Sequence, residues 1–120
     1  MLPKANRIRN TKQYDQIYRK GRKHYTPYFL LYILRGAGLV DRAKPLPRFG
    51  FVASKKVGKA VERNRAKRVM RGIVREMLPE LKRDFEAVVI TFPALLKAET
   101  ADVAGEFRKV AEGADLFAKG

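Results

Sequence analysis

The chain has 120 residues, with 27 Lys or Arg against 12 Asp or Glu, a net charge of +15 and no cysteine. That length accommodates one domain with one core; the missing cysteines exclude disulfides and thiolate metal sites, and a pI near 10.5 predicts salt-sensitive binding to nucleic acid. The opening MLPKANRIRN lacks the apolar core of a signal peptide and the longest apolar run, 28–34, is far short of the roughly 20 residues of a membrane span, so a cytoplasmic protein with no membrane partner is expected.

A basic arm, residues 1–9 with Lys4, Arg7 and Arg9, leads to Asn10, which caps a short helix with Gln13 at the reciprocal capping-box position; Gly21 ends that helix. Tyr14, Ile17 and Tyr18 share one of its faces. Residues 28–34, YFLLYIL, predict a strand covered on both faces. Gly36, Gly38, Pro45 and Pro47 mark 35–47 as a loop, and antiparallel pairing of 28–34 with a second strand at 49–53 is the simplest connection across it. A helix from about Lys59 to Leu78 follows, ended or kinked by Pro79. FEAVVITF at 85–92 predicts a third strand, and Thr100 an N-cap for a last helix with Val103, Phe107, Val110 and Ala111 facing inward. Residues 113–120 read as a flexible tail. The order is αββαβα, an α+β domain spanning 1–120, without repeats. The strands at 49–53 and 85–92, joined by a helix, should run parallel, adjacent or one apart, in a mixed sheet.

The segment 54–75, SKKVGKAVERNRAKRVMRGIVR, sets nine Lys or Arg against one carboxylate, Glu62. Ala66, Val69, Met70, Ile73, Val74 and Met77 keep helical spacing and predict one buried stripe. The opposite side is then a fixed array of cations, with Arg63, Lys67, Arg71 and Arg75 at four-residue steps and Arg68, Arg71 and Arg75 as an overlapping row. Like charges so spaced repel by a few tenths of a kcal/mol each, and a bound polyanion relieves that repulsion. The plainer alternative is a protein that is merely basic.

Catalysis by protein groups is hard to assemble from this chain. His24 has no Ser or Cys partner in a recognisable motif and reads as a solvated residue before a strand. The carboxylates are scattered, whereas a two-metal nuclease needs several converging on ions about 4 Å apart. Neither a phosphate loop nor a dinucleotide fingerprint is present. A binding module is the better supported class. Arg pairs with phosphates and stacks on exposed bases, and Tyr28, Leu30 and Tyr32, alternating on one strand, meet the Tyr14 and Tyr18 face to make a shallow aromatic groove. Such grooves hold single strands with little sequence preference; the alternative is that these tyrosines are core residues with their hydroxyls at the rim.

The stretch SKKVGKAVERNRAKRVMRGIVRE, with Arg63-Asn64-Arg65 at its centre, resembles the signature of the bacterial ribonuclease P protein family. The likeness extends over nearly the whole chain through the RIRN start with two aromatics four apart, YFLLYIL, RFGFVASKK and FEAVVITF. The resemblance implies a two-layer α/β sandwich, ribosomal protein S5 domain 2-like, with a mixed sheet and a left-handed βαβ crossover where the general rule predicts a right-handed one. It implies an endoribonuclease whose active site lies in a large RNA with bound Mg²⁺, which removes the 5′ leader from precursor tRNA, while the protein supplies no catalytic residue and no metal ligand. Lys55, Lys56, Lys59, Arg63, Asn64, Arg65, Lys67, Arg68 and Arg71 would contact the ribonuclease P RNA, one protein per RNA. Tyr14, Tyr18, Leu30 and Tyr32 would line the leader cleft, with Tyr14 and Tyr18 standing where members often have Phe. The alternatives are a ribosomal or RNA-chaperone protein, a protein-only nuclease, and a helix placed in a DNA major groove.

Overall fold

The computed structural model describes residues 2–35 and 47–118, so most of the loop expected at 35–47 lies outside the described residues. The elements are α1 (Thr11–Lys20), β1 (Arg22–Tyr25), β2 (Phe29–Arg35), β3 (Arg48–Ala53), α2 (Ala60–Met77), β4 (Phe85–Thr91) and α3 (Thr100–Gly113). The sequence reading had no β1. Its residues, RKHY, are polar and show no alternation, and the turn after them makes the strand. Thr26 Oγ1 accepts from the Phe29 and Tyr28 amides at 3.0 and 3.1 Å, folding β1 back antiparallel on β2.

The four strands form one mixed sheet in the order β1-β2-β4-β3. β3 and β4 are parallel neighbours, as the βαβ reading expects, with Phe49 opposite Ala87. The expected antiparallel pairing of 28–34 with 49–53 is corrected: β2 pairs with β4 instead, Leu31 opposite Val89. β4 takes the centre because six of its seven residues are buried, whereas β3 is half open over 51–53 and suits an edge.

Two layers cover the sheet. On one face Ala66, Met70, Ile73, Val74 and Met77 of α2, with Val103, Phe107 and Ala111 of α3, pack on Phe29, Leu31, Phe49, Phe85 and Val89. Val69 is only partly buried, and Val110 likewise. Each fully buried side chain of this size contributes about 1.5–3 kcal/mol relative to exposure. On the other face α1 alone seats Ile17 against Ile8, Leu34 and Val88. The capping box forms as read: Asn10 Oδ1 accepts from the Gln13 amide at 2.9 Å and Gln13 Oε1 from the Asn10 amide at 3.3 Å. Thr100 is the first residue of α3, and its N-cap is Glu99.

The described residues at both ends are anchored, so the flexible tail expected at 113–120 is corrected over 113–118. Leu2 and Ile8 are buried, and Arg7 bridges to Phe49 along the outer edge of β3, where the Ile8 amide donates to the Phe49 carbonyl at 3.1 Å. At the other end Leu116 is fully buried, and the Ala118 amide donates to the Glu80 carbonyl at 2.8 Å. These isolated apolar residues carry no periodic signal, so their burial appears only once the sheet edges exist.

Candidate nucleic-acid interface

Ser54 closes β3 and turns the chain toward α2: its Oγ accepts from the Lys56 amide at 3.2 Å, and Val57 is buried beneath the turn. Lys55 and Lys56 are thereby presented outward. Gly58 follows with φ +136°, a conformation an L side chain rarely adopts, and a Cβ there would strike the Glu62 carboxylate. Only glycine serves at this corner. Glu62 sits in the first turn of α2, where the helix dipole favours a carboxylate.

From the N-cap of α2 onward the polar and cationic side chains fall into an exposed set and a half-buried set. Lys59, Asn64, Arg65, Arg68 and Arg75 are exposed, whereas Arg63, Lys67 and Arg71, at four-residue steps, are half-buried. Arg63, Asn64 and Lys67 line a cleft of about 460 Å³ whose other wall is Phe51, Val52 and Ala53 of β3. Arg71 lies over the Phe51 ring, 5.7 Å from its centre. The Arg63 Nε is buried and has no hydrogen-bond partner among the described residues. Ion pairs among the described residues lie elsewhere, as at Lys82–Asp115 and Arg35–Asp84, and none joins a carboxylate to the nine cations of 54–75.

The tyrosines gather on the face that α1 covers. Tyr14 and Tyr18 are 6.3 Å apart between ring centres, and Tyr18 meets Tyr32 edge-on at 5.0 Å. Leu30, buried, stands beside them on β2, opposite Ile90. Tyr28 is corrected: it precedes β2 and packs on the opposite, main core. Gly50 carries no signal in the sequence, yet the Tyr14 ring rests on it so closely that a Cβ would come within 2.6 Å of Tyr14 Cε1 and Cζ. Burial pushes the Tyr14 hydroxyl above the usual tyrosine pKa, against opposing pulls from Arg71 and a backbone hydrogen bond at Phe51. Tyr18 is raised too, by burial first and then by Tyr14, Tyr32 and Asp15.

The two groups predicted from sequence therefore border one cavity. Arg71, Phe51, Gly50 and Tyr14 line one cavity of about 180 Å³ together with Leu2 and Ile8 of the N-terminal segment. Nothing in the spacing of Tyr14 and Arg71 along the chain shows that β3 brings them to one cavity. His24 lies within β1 rather than before a strand, and burial and then Arg22 push its pKa down. Among the described residues no three His, Asp or Glu gather as metal ligands. No helix among them is long and apolar enough to cross a membrane.

The family model described as Ribonuclease P matches residues 2–115. The ribonuclease P protein component of Syntrophomonas wolfei is 32% identical over 119 residues, covering 99% of this chain and 95% of that protein. The solved Staphylococcus aureus ribonuclease P protein superposes with TM-score 0.78 at 25% identity, covering 96% of this chain and 100% of that one. A mutant of that protein, described as defective in mRNA degradation activity, gives TM-score 0.81 at 26% identity over 95% and 92%. With a basic helix carrying Arg63-Asn64-Arg65, a mixed four-stranded sheet and these matches over nearly its full length, the chain belongs to the ribonuclease P protein family and is a protein component of that endoribonuclease.

Proposed function

We propose that the protein grips the ribonuclease P RNA with α2 and the turn before it, and holds the single-stranded 5′ leader of precursor tRNA on the tyrosine face. In this reading Lys55, Lys56, Lys59, Asn64, Arg65 and Arg68 take phosphates of the catalytic RNA from the open side of α2. Arg63, Lys67 and Arg71 take them from the cleft beside β3, where the Arg63 Nε has a donor to offer. Tyr14, Tyr18, Leu30 and Tyr32 seat the leader. The RNA carries the active site and its Mg²⁺, and the protein adds leader affinity and offsets phosphate repulsion between the two RNAs. Stacked bases at about 1–3 kcal/mol each give that affinity a useful size.

The observation that carries the reading is the seam at Arg71, Phe51 and Tyr14. A cation row and an aromatic face that meet there offer two RNAs adjoining seats, which a plain RNA-packing protein does not need. The experiment is reconstitution with a ribonuclease P RNA at low Mg²⁺, using precursors of graded leader length. Wild-type protein is expected to enhance leader removal, Arg65→Ala to weaken RNA association and lower its salt slope by about one, and Tyr18→Ala to weaken only precursors with leaders. Equal effects of both variants on mature and precursor tRNA would sink the division of labour and favour a general RNA-packing role.

A further inference from the structure

The sheet register carries the tyrosine face one strand beyond Tyr32. Across the β1–β2 ladder Lys23 is opposite Tyr32, and Tyr25 is opposite Leu30. Opposed residues in an antiparallel pair project to the same side of the sheet. Lys23 and Tyr25 thus stand with Tyr14, Tyr18 and Tyr32, while Arg22 and His24 project to the other face. The Lys23 Nζ lies 5.7 Å from the Tyr32 ring centre. Tyr25 is 69% exposed, and among the described residues only Val61 is a comparably open large apolar side chain. A lysine alone would guard a sheet edge against pairing; that role gives no reason for an open aromatic ring beside it, in line with three others.

We infer that Lys23 and Tyr25 form a distal subsite for single-stranded RNA, with the Lys23 ammonium on a phosphate and the Tyr25 ring beneath a base. The subsite rests on the reading of the tyrosine face as the leader groove, and it extends that groove. β1 and β3 are opposite edges of the sheet, and Tyr14 lies over β3 at Gly50, so a strand entering from the Arg71 side reaches Tyr25 last. Tyr25 is diagonal to Tyr32, an offset of roughly 7–8 Å, which is about two nucleotides at some 3.4 Å per stacked nucleotide. No base preference is expected, since every base has a π-face.

The test measures affinity of the reconstituted holoenzyme for precursor tRNAs whose leaders grow one nucleotide at a time, with wild-type, Tyr18→Ala, Tyr25→Ala, Tyr25→Phe and Lys23→Ala proteins. Tyr25→Ala should match wild type on short leaders and lose roughly tenfold once the leader is about two nucleotides longer than the length at which Tyr18→Ala first shows a loss. Tyr25→Phe should keep wild-type affinity, and Lys23→Ala should lower the salt slope by about one on long leaders only. If Tyr18→Ala loses nothing at any length, the leader groove itself fails and takes the subsite with it. If Tyr18→Ala loses affinity while Tyr25→Ala never does, the distal subsite alone is overturned. A Tyr25→Ala loss equal on mature tRNA and every precursor also overturns it.

Discussion

On one face of the sheet Phe29, Phe49 and Phe85 interlock with Phe107 of α3, with ring centres 5.6 to 6.3 Å apart. The opposite face carries Gly50, Tyr32 and the buried Arg48–Glu86 pair, 3.7 Å apart, under one ten-residue helix. The first face is closed and apolar and supplies most of the core. The second is only part-covered, and its aromatic rings are half-buried, held in place from below and open from above. A sheet that obtains its stability from one face can use the other as a platform for a ligand.

Four substitutions test how far that division holds. Phe107→Ala on the closed face should have the largest effect, a loss of about 3–5 kcal/mol in urea unfolding, with RNA affinity unchanged at denaturant concentrations where the variant is still folded. Gly50→Ala should cost about 1–3 kcal/mol through overpacking and push Tyr14 off its seat. Affinity for precursors with leaders should then fall while affinity for the catalytic RNA holds; a fall in both would show that the faces are not separable at the seam.

Tyr14→Phe keeps the ring and removes the hydroxyl bonded at Phe51, for about 0.5–1.5 kcal/mol, with leader affinity retained. Its pH dependence is a sharper readout. The fold raises the Tyr14 pKa above 10.0, so it favours the neutral phenol. That contribution is fully present below the unfolded pKa and is lost as pH rises through the folded one. Thermal melts above pH 10 should therefore fall less steeply for the variant than for wild type. The smallest change in stability belongs to Arg68→Ala, within about 0.5 kcal/mol and with relief of repulsion from Arg71 and Arg65 as the favoured sign. Its salt slope on RNA should nevertheless drop by about one, and an unchanged slope would remove Arg68 from the interface.

The parts of this architecture legible in the sequence are those with a periodic signal. The stripe from Ala66 to Met77 announces α2 and orients its cations, and the apolar run at 28–34 and FEAVVITF announce two strands. Parallel pairing of β3 with β4 followed from the helix between them. Strand order did not, because choosing between β3 and β4 as the partner of β2 depends on which strand can be buried along both edges. β1 is invisible because RKHY becomes a strand through the Thr26 turn and through pairing. Tyr28 was assigned by alternation to the groove, but the strand starts one residue later and the ring falls on the other side. The seam between Arg71 and Tyr14, which are 57 positions apart in the chain, is shaped by Gly50, whose missing side chain leaves room for the Tyr14 ring.

The short bridge of Arg7 to Phe49 has a bearing on self-association. A four-stranded open sheet offers two edges to a second copy, and exposed edges are templates for pairing. Here the outer edge of β3 is partly occupied by the N-terminal segment, and β1 is only four residues long and brings Arg22 and Lys23. A second copy approaching either edge would meet the bridged segment at Phe49 or the like charge of Arg22 and Lys23. Both edges are thereby guarded against strand pairing with a second copy, which leaves the basic helix and the tyrosine face as the surfaces free to meet a partner.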